Sequence, residues 1–246
     1  MDQEKARIGD TYHQSTKYRR DEVPKGELDW AAQPDVYKDF PTYIKRVSIH
    51  SVNLKGGKSL WEALAKRRSF REFSRRPITF DELSRLIWAT QGITARSWGF
   101  DFRTAPSAGG LYPIETYLIV NRVEELSAGI YHFSVKTGQL VLIREGQFGP
   151  ELSRAALGQG MLGEAACVFI WTAIVERSKW KYRERAYRYI YMDAGHIGQN
   201  LYLGAAGLDL GCCTVGAFFD EEVDQLIGID GQREITIYLG AIGRIG

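Results

Sequence analysis

Several short stretches of the chain combine residue types that could handle a phosphate, a flat ring or a proton. Arg67-Arg68-Ser69-Phe70-Arg71 gathers three guanidinium groups and a hydroxyl around one aromatic ring. Arginine forks with a hydroxyl make a good phosphate grip. Cations that merely close a helix C-terminus would account for one or two of these arginines, not for all three and the serine. Thr104-Ala105-Pro106-Ser107-Ala108-Gly109-Gly110-Leu111-Tyr112-Pro113-Ile114-Glu115 joins a rigid proline to paired glycines. Such a loop lets backbone approach a flat ligand, with Ser107 as an added donor, although a plain turn before a strand has the same make-up. Thr214-Val215-Gly216-Ala217-Phe218 and Leu239-Gly240-Ala241-Ile242-Gly243-Arg244 are two further glycine-bearing stretches. Ser178 to Tyr189 is dense in cations and phenols, which by itself reads as the solvated start of an amphipathic helix.

Other signatures fail on context. Gly158-Gln159-Gly160-Met161-Leu162-Gly163 matches GxGxxG, but a helical segment precedes it and a strand follows, the reverse of a dinucleotide-binding turn. No Walker loop, HExxH, GxSxG or CxxC occurs. Cys167, Cys212 and Cys213 read as small core residues. His13, His50, His132 and His196 lack metal-ligand spacing, and His196 reads as a satisfied core histidine.

Such residues need a scaffold to position them. Ser59-Leu60-Trp61-Glu62 and Thr79-Phe80-Asp81-Glu82 both fit the capping box. They predict a helix to about Arg67 and another that ends before Gly92, with Leu83, Leu86 and Ile87 on one face. Strands are predicted at Glu115–Arg122, Cys167–Val175 and Glu234–Leu239, with a hairpin of Gly129–Phe133 and Gln139–Ile143 around Lys136-Thr137-Gly138. The most informative helix covers about 184–207, where Ile190, Ala194, Ile197, Leu201, Ala205 and Leu208 form a helical stripe. Gly195, Gly198, Gly204 and Ala206 fall on its other faces. Glycine costs roughly 1 kcal/mol inside a helix, so several of them predict close packing on more than one side, in the core or between subunits. A short helix is expected at Asp220–Leu226, acidic at its start and followed by Gly228.

Residues 1–57 are polar and punctuated by Pro24, Pro34, Pro41 and Gly56-Gly57, yet carry Trp30, Tyr37, Phe40 and Tyr43. Disordered tails are poor in aromatics. The segment therefore reads as an arm that packs on a body of residues 58–246. Mixed helices and strands give a layered α+β or α/β architecture.

The chain has 246 residues, 44% hydrophobic and 25% charged, with 32 basic and 30 acidic side chains for a net charge of +2. That balance gives no electrostatic argument for nucleic acid or an anionic membrane. No stretch approaches the ~18–20 apolar residues of a membrane span, and MDQEKARIGD does not read as a secretory signal. A soluble, cytoplasmic protein is expected, with no nucleic-acid or membrane partner.

Taken in order, the four glycine- and arginine-bearing stretches resemble the nitroreductase family of FMN enzymes across about residues 59–244. They are most similar to its branch of SagB-type dehydrogenases, the azoline oxidases of thiazole- and oxazole-modified peptides. PSAGGLYPIE and DAGHIGQNL (193–201) are the most specific strings, and Tyr12-His13-Gln14-Ser15-Thr16-Lys17 resembles the opening of the same branch. The resemblance implies an α+β nitroreductase-like fold: a central mixed or antiparallel β-sheet flanked by helices, in an intertwined homodimer with FMN at the subunit interface.

The same resemblance implies site roles. Arg67, Arg68 and Ser69 match the grip on the ribityl phosphate and pyrimidine edge. Arg71 matches a basic position near flavin N1 and O2, where a cation stabilises reduced flavin. Arg244 matches a C-terminal phosphate contact. Pro106, Ser107, Ala108 and Gly110 match the loop offered by the partner subunit, with Gly110 where an Asn is usual. Val215, Gly216 and Ala217 match the segment over the central ring, whose backbone amide faces N5; a Glu is frequent at Gly216. Gln159 falls near a pyrimidine-edge contact. Lys181 and Tyr182 resemble a catalytic pair that takes a proton while N5 takes a hydride, provided burial lowers a pKa. Three activities follow: dehydrogenation of a heterocycle such as a peptide azoline, NAD(P)H-dependent reduction of a nitro compound or quinone, or flavin binding without turnover. The substrate is a small molecule or a peptide, and NAD(P)H is an electron donor only in the second.

Overall fold

The fold is a computed structural model that describes residues 7–20, 27–49, 52–97 and 99–246. Pro24 and His50 lie outside the described residues. The chain begins with α1 (Ile8–Ser15) and, after an irregular stretch, a short strand β1 (Lys45–Ser48). Then come α2 (Leu60–Lys66) and α3 (Phe80–Gln91), each started by the expected capping box: the Ser59 and Thr79 hydroxyls accept the Glu62 and Glu82 amides, and each glutamate accepts the cap residue's own amide. These boxes satisfy backbone donors that the first helical turn leaves unpaired.

A two-stranded ribbon, β2 (Ile93–Ser97) and β3 (Phe100–Arg103), leads to β4 (Ile114–Val120), β5 (Gly129–Ser134) and β6 (Gln139–Glu145). After α4 (Gly149–Ala155), α5 (Met161–Glu164) and β7 (Cys167–Ile174) come α6 (Glu176–Tyr182) and the long α7 (Ala186–Gly207). The chain closes with β8 (Leu210–Val215), α8 (Asp220–Ile227) and β9 (Glu234–Arg244). The main sheet has seven strands in the order β1-β6-β5-β4-β7-β9-β8. Every pairing in it is antiparallel. This is the α+β arrangement implied by the resemblance, in its fully antiparallel form.

The period-two alternation of the central strands divides the core. Leu118, Val120, Phe169 and Trp171 face one way and meet α3 and α7 through Leu83, Leu86, Ile190, Ile197 and Leu201. Tyr117, Ile119, Val168 and Ile170 face the other way and meet α4, α5 and α8 through Leu152, Leu162, Val223 and Leu226. β9 is longer than the predicted Glu234–Leu239 because β7 pairs with it on one side and β8 on the other, through both glycines. At Gly240 a Cβ would stand 2.7 Å from Leu201 and 2.9 Å from Trp171, so this crossing of α7 over the sheet admits only glycine.

Residues 7–49 contact the body at several points. Tyr12 stacks edge-on with Tyr187, and Trp30 with Trp180. Arg177 donates to the Asp35 carbonyl at 2.7 Å, and Lys38 pairs with Glu234. β1 adds an edge strand to the sheet, which the polar sequence there did not announce. β8 was also unanticipated, although Cys212 and Cys213 within it are buried and free, as expected.

His196 is a correction. It is exposed on α7, together with Met192, Gly195 and Gln199, rather than held in the core. The apolar stripe fixes only the opposite face of the helix. Gly198 does pack closely, with a Cβ position 3.0 Å from Tyr238, but at Gly195 nothing in the chain lies within 4 Å.

Candidate functional site

The predicted site residues form two clusters. The first is built on the strand-like run after α2. Phe70 donates its amide to the Cys212 carbonyl at 2.9 Å, and Ser69 bridges to Cys212, so the run from Arg67 is laid beside β8. The Ser69 hydroxyl lies 2.9 Å from Tyr202 Oη. That phenol oxygen accepts the Thr214 amide at 3.0 Å, and Thr214 Oγ1 lies 2.6 Å from Tyr238 Oη. Arg67 sits with its guanidinium 5.1 Å from the Tyr202 ring centroid. Together Lys58, Lys66, Arg67, Arg68 and Tyr202 line a recess of about 120 Å³ floored by Cys212. Asp209 also lines it and pairs with Lys58, so Lys66, Arg67, Arg68 and the Tyr202 hydroxyl are the groups that suit a phosphate. Burial pushes the Cys212 thiol well up, which leaves it a neutral part of the floor.

Gln159 brings in the segment after β8. Its amide donates to Ala217 O at 3.0 Å, so Gln159 and Val215–Ala217 stand together, with Gly216 and Ala217 exposed. The three arginines of the motif separate. Arg67 faces the recess. Arg68 turns back and donates to the Ala65 and Arg67 carbonyls at 3.2 and 2.7 Å, closing α2. Arg71 is exposed. Arg244 is engaged elsewhere: it donates to Glu82 Oε2 at 2.8 Å and to the Pro77 carbonyl at 3.2 Å, with Glu82 fixed by its cap.

The second cluster centres on residues 106–112. Asp193, buried in α7, accepts the Ser107 hydroxyl at 2.6 Å and the Ala108 amide at 3.3 Å. Ser107 Oγ in turn accepts the Tyr112 amide at 2.9 Å. Burial raises the Asp193 carboxyl, and the Ser107 and Ala108 donors offset part of that. Gly109 and Gly110 both have φ +67° and Tyr112 has φ +44°. Such strain in a non-glycine residue persists where surrounding contacts over-determine it. A Cβ on Gly109 would stand 2.7 Å from Tyr182 Oη and 3.2 Å from Lys181 Nζ. The structure thus brings Lys181 and Tyr182 against the Pro106–Gly110 turn. Arg183, with φ +51°, breaks α6 from the next turn directly after this pair.

Tyr182 requires a correction of sign. Burial disfavours the charged form of any group, and for a phenol that raises the pKa. Tyr182 is moved up, first by burial and then by Tyr189, Tyr18 and Asp193. It stays protonated at neutral pH and is a donor rather than a base.

Sequence reasoning missed Tyr202, Tyr238 and Thr214 as the link between Ser69 and β8. Asp193 stood within a quoted string but carried no role. Nothing in their periodicity marks them, because each acts on a segment far away in sequence. Among the described residues, no group of three or more His, Cys, Asp or Glu could hold a metal.

The sequence profile of the nitroreductase family matches residues 64–244, from the middle of α2 to the end of β9. The chain belongs to the nitroreductase family. A nitroreductase relative from Methanocaldococcus jannaschii is 38% identical over 185 residues, covering 75% of this chain and 90% of the relative. A nitroreductase-fold structure from Anabaena variabilis superposes with a TM-score of 0.78 at 32% identity, covering 96% of this chain and 46% of that one. The microcin B17-processing protein McbC of Escherichia coli is 29% identical over 140 residues, covering 54% of this chain and 51% of McbC. The chain thus spans about half the length of McbC and of the Anabaena chain. Membership in the nitroreductase family places the protein among oxidoreductases. No helix among the described residues is long and apolar enough to cross a membrane.

Proposed function

We propose that this nitroreductase-family protein is an FMN-dependent oxidoreductase of the SagB-type dehydrogenase kind, active as a homodimer. In this reading Arg67, Ser69, Gln159 and Val215–Ala217 of one subunit hold the flavin against Pro106–Gly110 of the other. When bound, FMN supplies two-electron hydride chemistry.

One observation carries the proposal. Asp193, which anchors the 106–110 turn, and Tyr202, which anchors the arginine cluster, are nine positions apart on α7. At 3.6 residues per turn that is two and a half turns, so they project from opposite faces, about 13 Å apart along the axis. One chain cannot close a single pocket from both clusters, whereas a second copy can. The recess within one chain, about 120 Å³, is also smaller than the roughly 300–1,000 Å³ of sites that enclose a small ligand. In this reading Arg67 and Ser69 meet the flavin phosphate, and Gln159, whose amide nitrogen donates to the Ala156 and Ala217 carbonyls, holds the Val215–Ala217 segment in place. Arg68 commits Nη1 to its own helix and still lines the recess, whereas Arg244 is held by Glu82 and Pro77 and contributes positive field.

Exposed apolar residues support the dimer. Leu60, Trp61 and Leu64 on α2 are 58%, 78% and 43% exposed, and the neighbours Tyr191 and Met192 on α7 are each 55% exposed. Apolar side chains grouped along an element, rather than scattered singly, mark interfaces.

For the reaction, the second cluster favours removal of a hydride and a proton from a planar heterocycle such as a peptide azoline. Tyr182 as a protonated phenol orients the substrate, which assigns the proton-accepting role to Lys181. The processing relative McbC supports this reading. The M. jannaschii nitroreductase relative favours a second one, NAD(P)H-dependent reduction of nitro compounds or quinones.

The first test is a visible spectrum of the purified protein and identification of the released mononucleotide. A colourless protein that takes up no added FMN ends the proposal. Stopped-flow mixing separates the two reactions. Rapid bleaching by NADH or NADPH selects reduction, while bleaching by a thiazoline peptide, lost in Lys181→Ala, selects dehydrogenation. Bound flavin that no donor reduces would indicate binding without turnover.

A further inference from the structure

The segment before the body ends beside the Lys181–Tyr182 pair. Arg188 donates to Thr16 Oγ1 at 2.8 Å and to the His13 carbonyl at 2.5 Å, and Arg185 donates to the Thr16 carbonyl. Two arginines therefore grip the end of α1 and deliver Tyr18 to a specific place. There the Arg185 guanidinium lies 4.3 Å from the Tyr18 ring centroid and donates to Tyr189 Oη at 3.0 Å. Arg185 thus stands against both Tyr18 and Tyr189, and the Tyr189 ring packs tilted against Tyr182 with centroids 4.5 Å apart. The result is a continuous row of phenols, Tyr18-Tyr189-Tyr182, that reaches Gly109. Tyr18 is 50% exposed although it is held at this many points. Its ring is thus held by the Arg185 guanidinium while half of the residue stays open to solvent.

We propose that residues 12–18 form the substrate-side wall of the Lys181–Tyr182 site, with Tyr18 presenting its ring and hydroxyl to the substrate and Arg185 as the positioning residue that holds Tyr18 and Tyr189 in line with Tyr182. The inference rests on the site reading above and deepens it. The wall offers flat π-faces and phenolic donors, with the Lys181 side-chain nitrogen beside them. That chemistry recognises a planar ring bearing carbonyl or ring-nitrogen acceptors, such as an azole or azoline carboxamide, and offers little to an aliphatic ligand. The charged and titratable groups that face Tyr18 are Arg185 and Tyr189, with Tyr182 next in the row; Lys181 lies 5.6 Å from the Tyr182 ring.

The test uses the full chain as wild type, Tyr18→Ala, Tyr18→Phe and Arg185→Gln, with three readouts. Flavin content at 450 nm is expected to stay unchanged in all variants, because none touches the Arg67–Ser69 recess. Trypsin cleavage after Lys17, Arg19 and Arg20 is expected to quicken at least tenfold in Arg185→Gln, which frees the Thr16 grip. Calorimetric affinity for 2-methylthiazole-4-carboxamide is expected to fall fivefold or more in Tyr18→Ala and about half as much in Tyr18→Phe. Its alkaline limb moves to higher pH in Arg185→Gln, since the lost cation no longer favours the Tyr18 phenolate. A shift in that limb separates positioning from a merely structural role. Wild-type cleavage in Arg185→Gln together with wild-type affinity in Tyr18→Ala overturns the inference and leaves the flavin reading intact. A protein without flavin that still shows the cleavage and affinity changes overturns the flavin reading instead.

Discussion

Ser107 donates its hydroxyl to the buried carboxylate of Asp193 at 2.6 Å, and this bond ties a glycine turn on one side of the sheet to the middle of α7. The Ala108 amide is held by the other carboxylate oxygen. Removing the carboxylate in Asp193→Ala leaves both donors without an acceptor, at a cost of about 1–3 kcal/mol. Urea unfolding should show that loss, and flavin content should fall because the 106–110 turn is released. Retention of both would mean that other contacts set the turn.

Tyr202→Phe removes the oxygen that accepts the Thr214 amide and meets Ser69. A lost hydrogen bond of this kind costs about 1 kcal/mol in stability. Its larger effect is expected on FMN affinity, weakened roughly tenfold, equivalent to about 1.4 kcal/mol. Arg67→Ala should weaken FMN more than Arg68→Ala, since Arg68 commits its Nη1 to the carbonyls that close α2. Equilibrium dialysis against FMN ranks the three.

Gly109→Ala tests the contact between the turn and the catalytic pair. Its left-handed φ costs about 1 kcal/mol for a residue with a Cβ, and the added methyl would collide with Tyr182 Oη at 2.7 Å. Lys181 and Tyr182 are then displaced. Turnover should drop at least tenfold and fall more steeply than flavin content, because the turn keeps its Ser107 and Ala108 anchors on Asp193.

Gly195→Glu addresses the dimer. No atom of the same chain lies within 4 Å of a Cβ there, so the monomer fold tolerates the change and gains helix propensity. A charge introduced on an exposed α7 face against a second copy should shift the protein toward monomer in sedimentation equilibrium, with flavin lost in proportion. A wild-type dimer that keeps its flavin would place the interface elsewhere.

Glu115 makes the stability pH-dependent. Burial raises its pKa, but the His132 hydrogen bond and charge and the Arg177 guanidinium, 2.6 Å away, outweigh burial and bring it down to about 2 from the ordinary 4.5. The folded value lies below the unfolded one, so the contribution is fully present above about pH 5 and disappears as pH falls from there through 2. Glu115→Gln should flatten acid unfolding in that window. At neutral pH it leaves Arg177 buried without its counter-charge, a cost of about 3–5 kcal/mol.

Much of the local architecture was legible. Both capping boxes, the β5–β6 hairpin and the Gly228 end of α8, with φ +79°, are written in residues a few positions apart, and the structure places them as expected. β1 and β8 were not legible. Lys45–Ser48 is mostly exposed and is a strand only because β6 offers its edge. Leu210–Val215 is short and carries a glycine, a weak strand former, and is held by pairing with β9.

The site divides along the same line. The sequence determined which residue types were available, Arg67 and Ser69 for a phosphate, Ser107 to Gly110 for a flat approach and Lys181 with Tyr182 for a proton, because composition and short spacing are local properties. Tertiary structure alone decided that Arg244 serves Glu82, that Arg68 closes its own helix, that His196 faces outward and that Tyr18 joins the Tyr182 row. Those outcomes depend on which distant acceptor or ring reaches each side chain first, and the free energy of such contacts is set by packing between segments far apart along the chain.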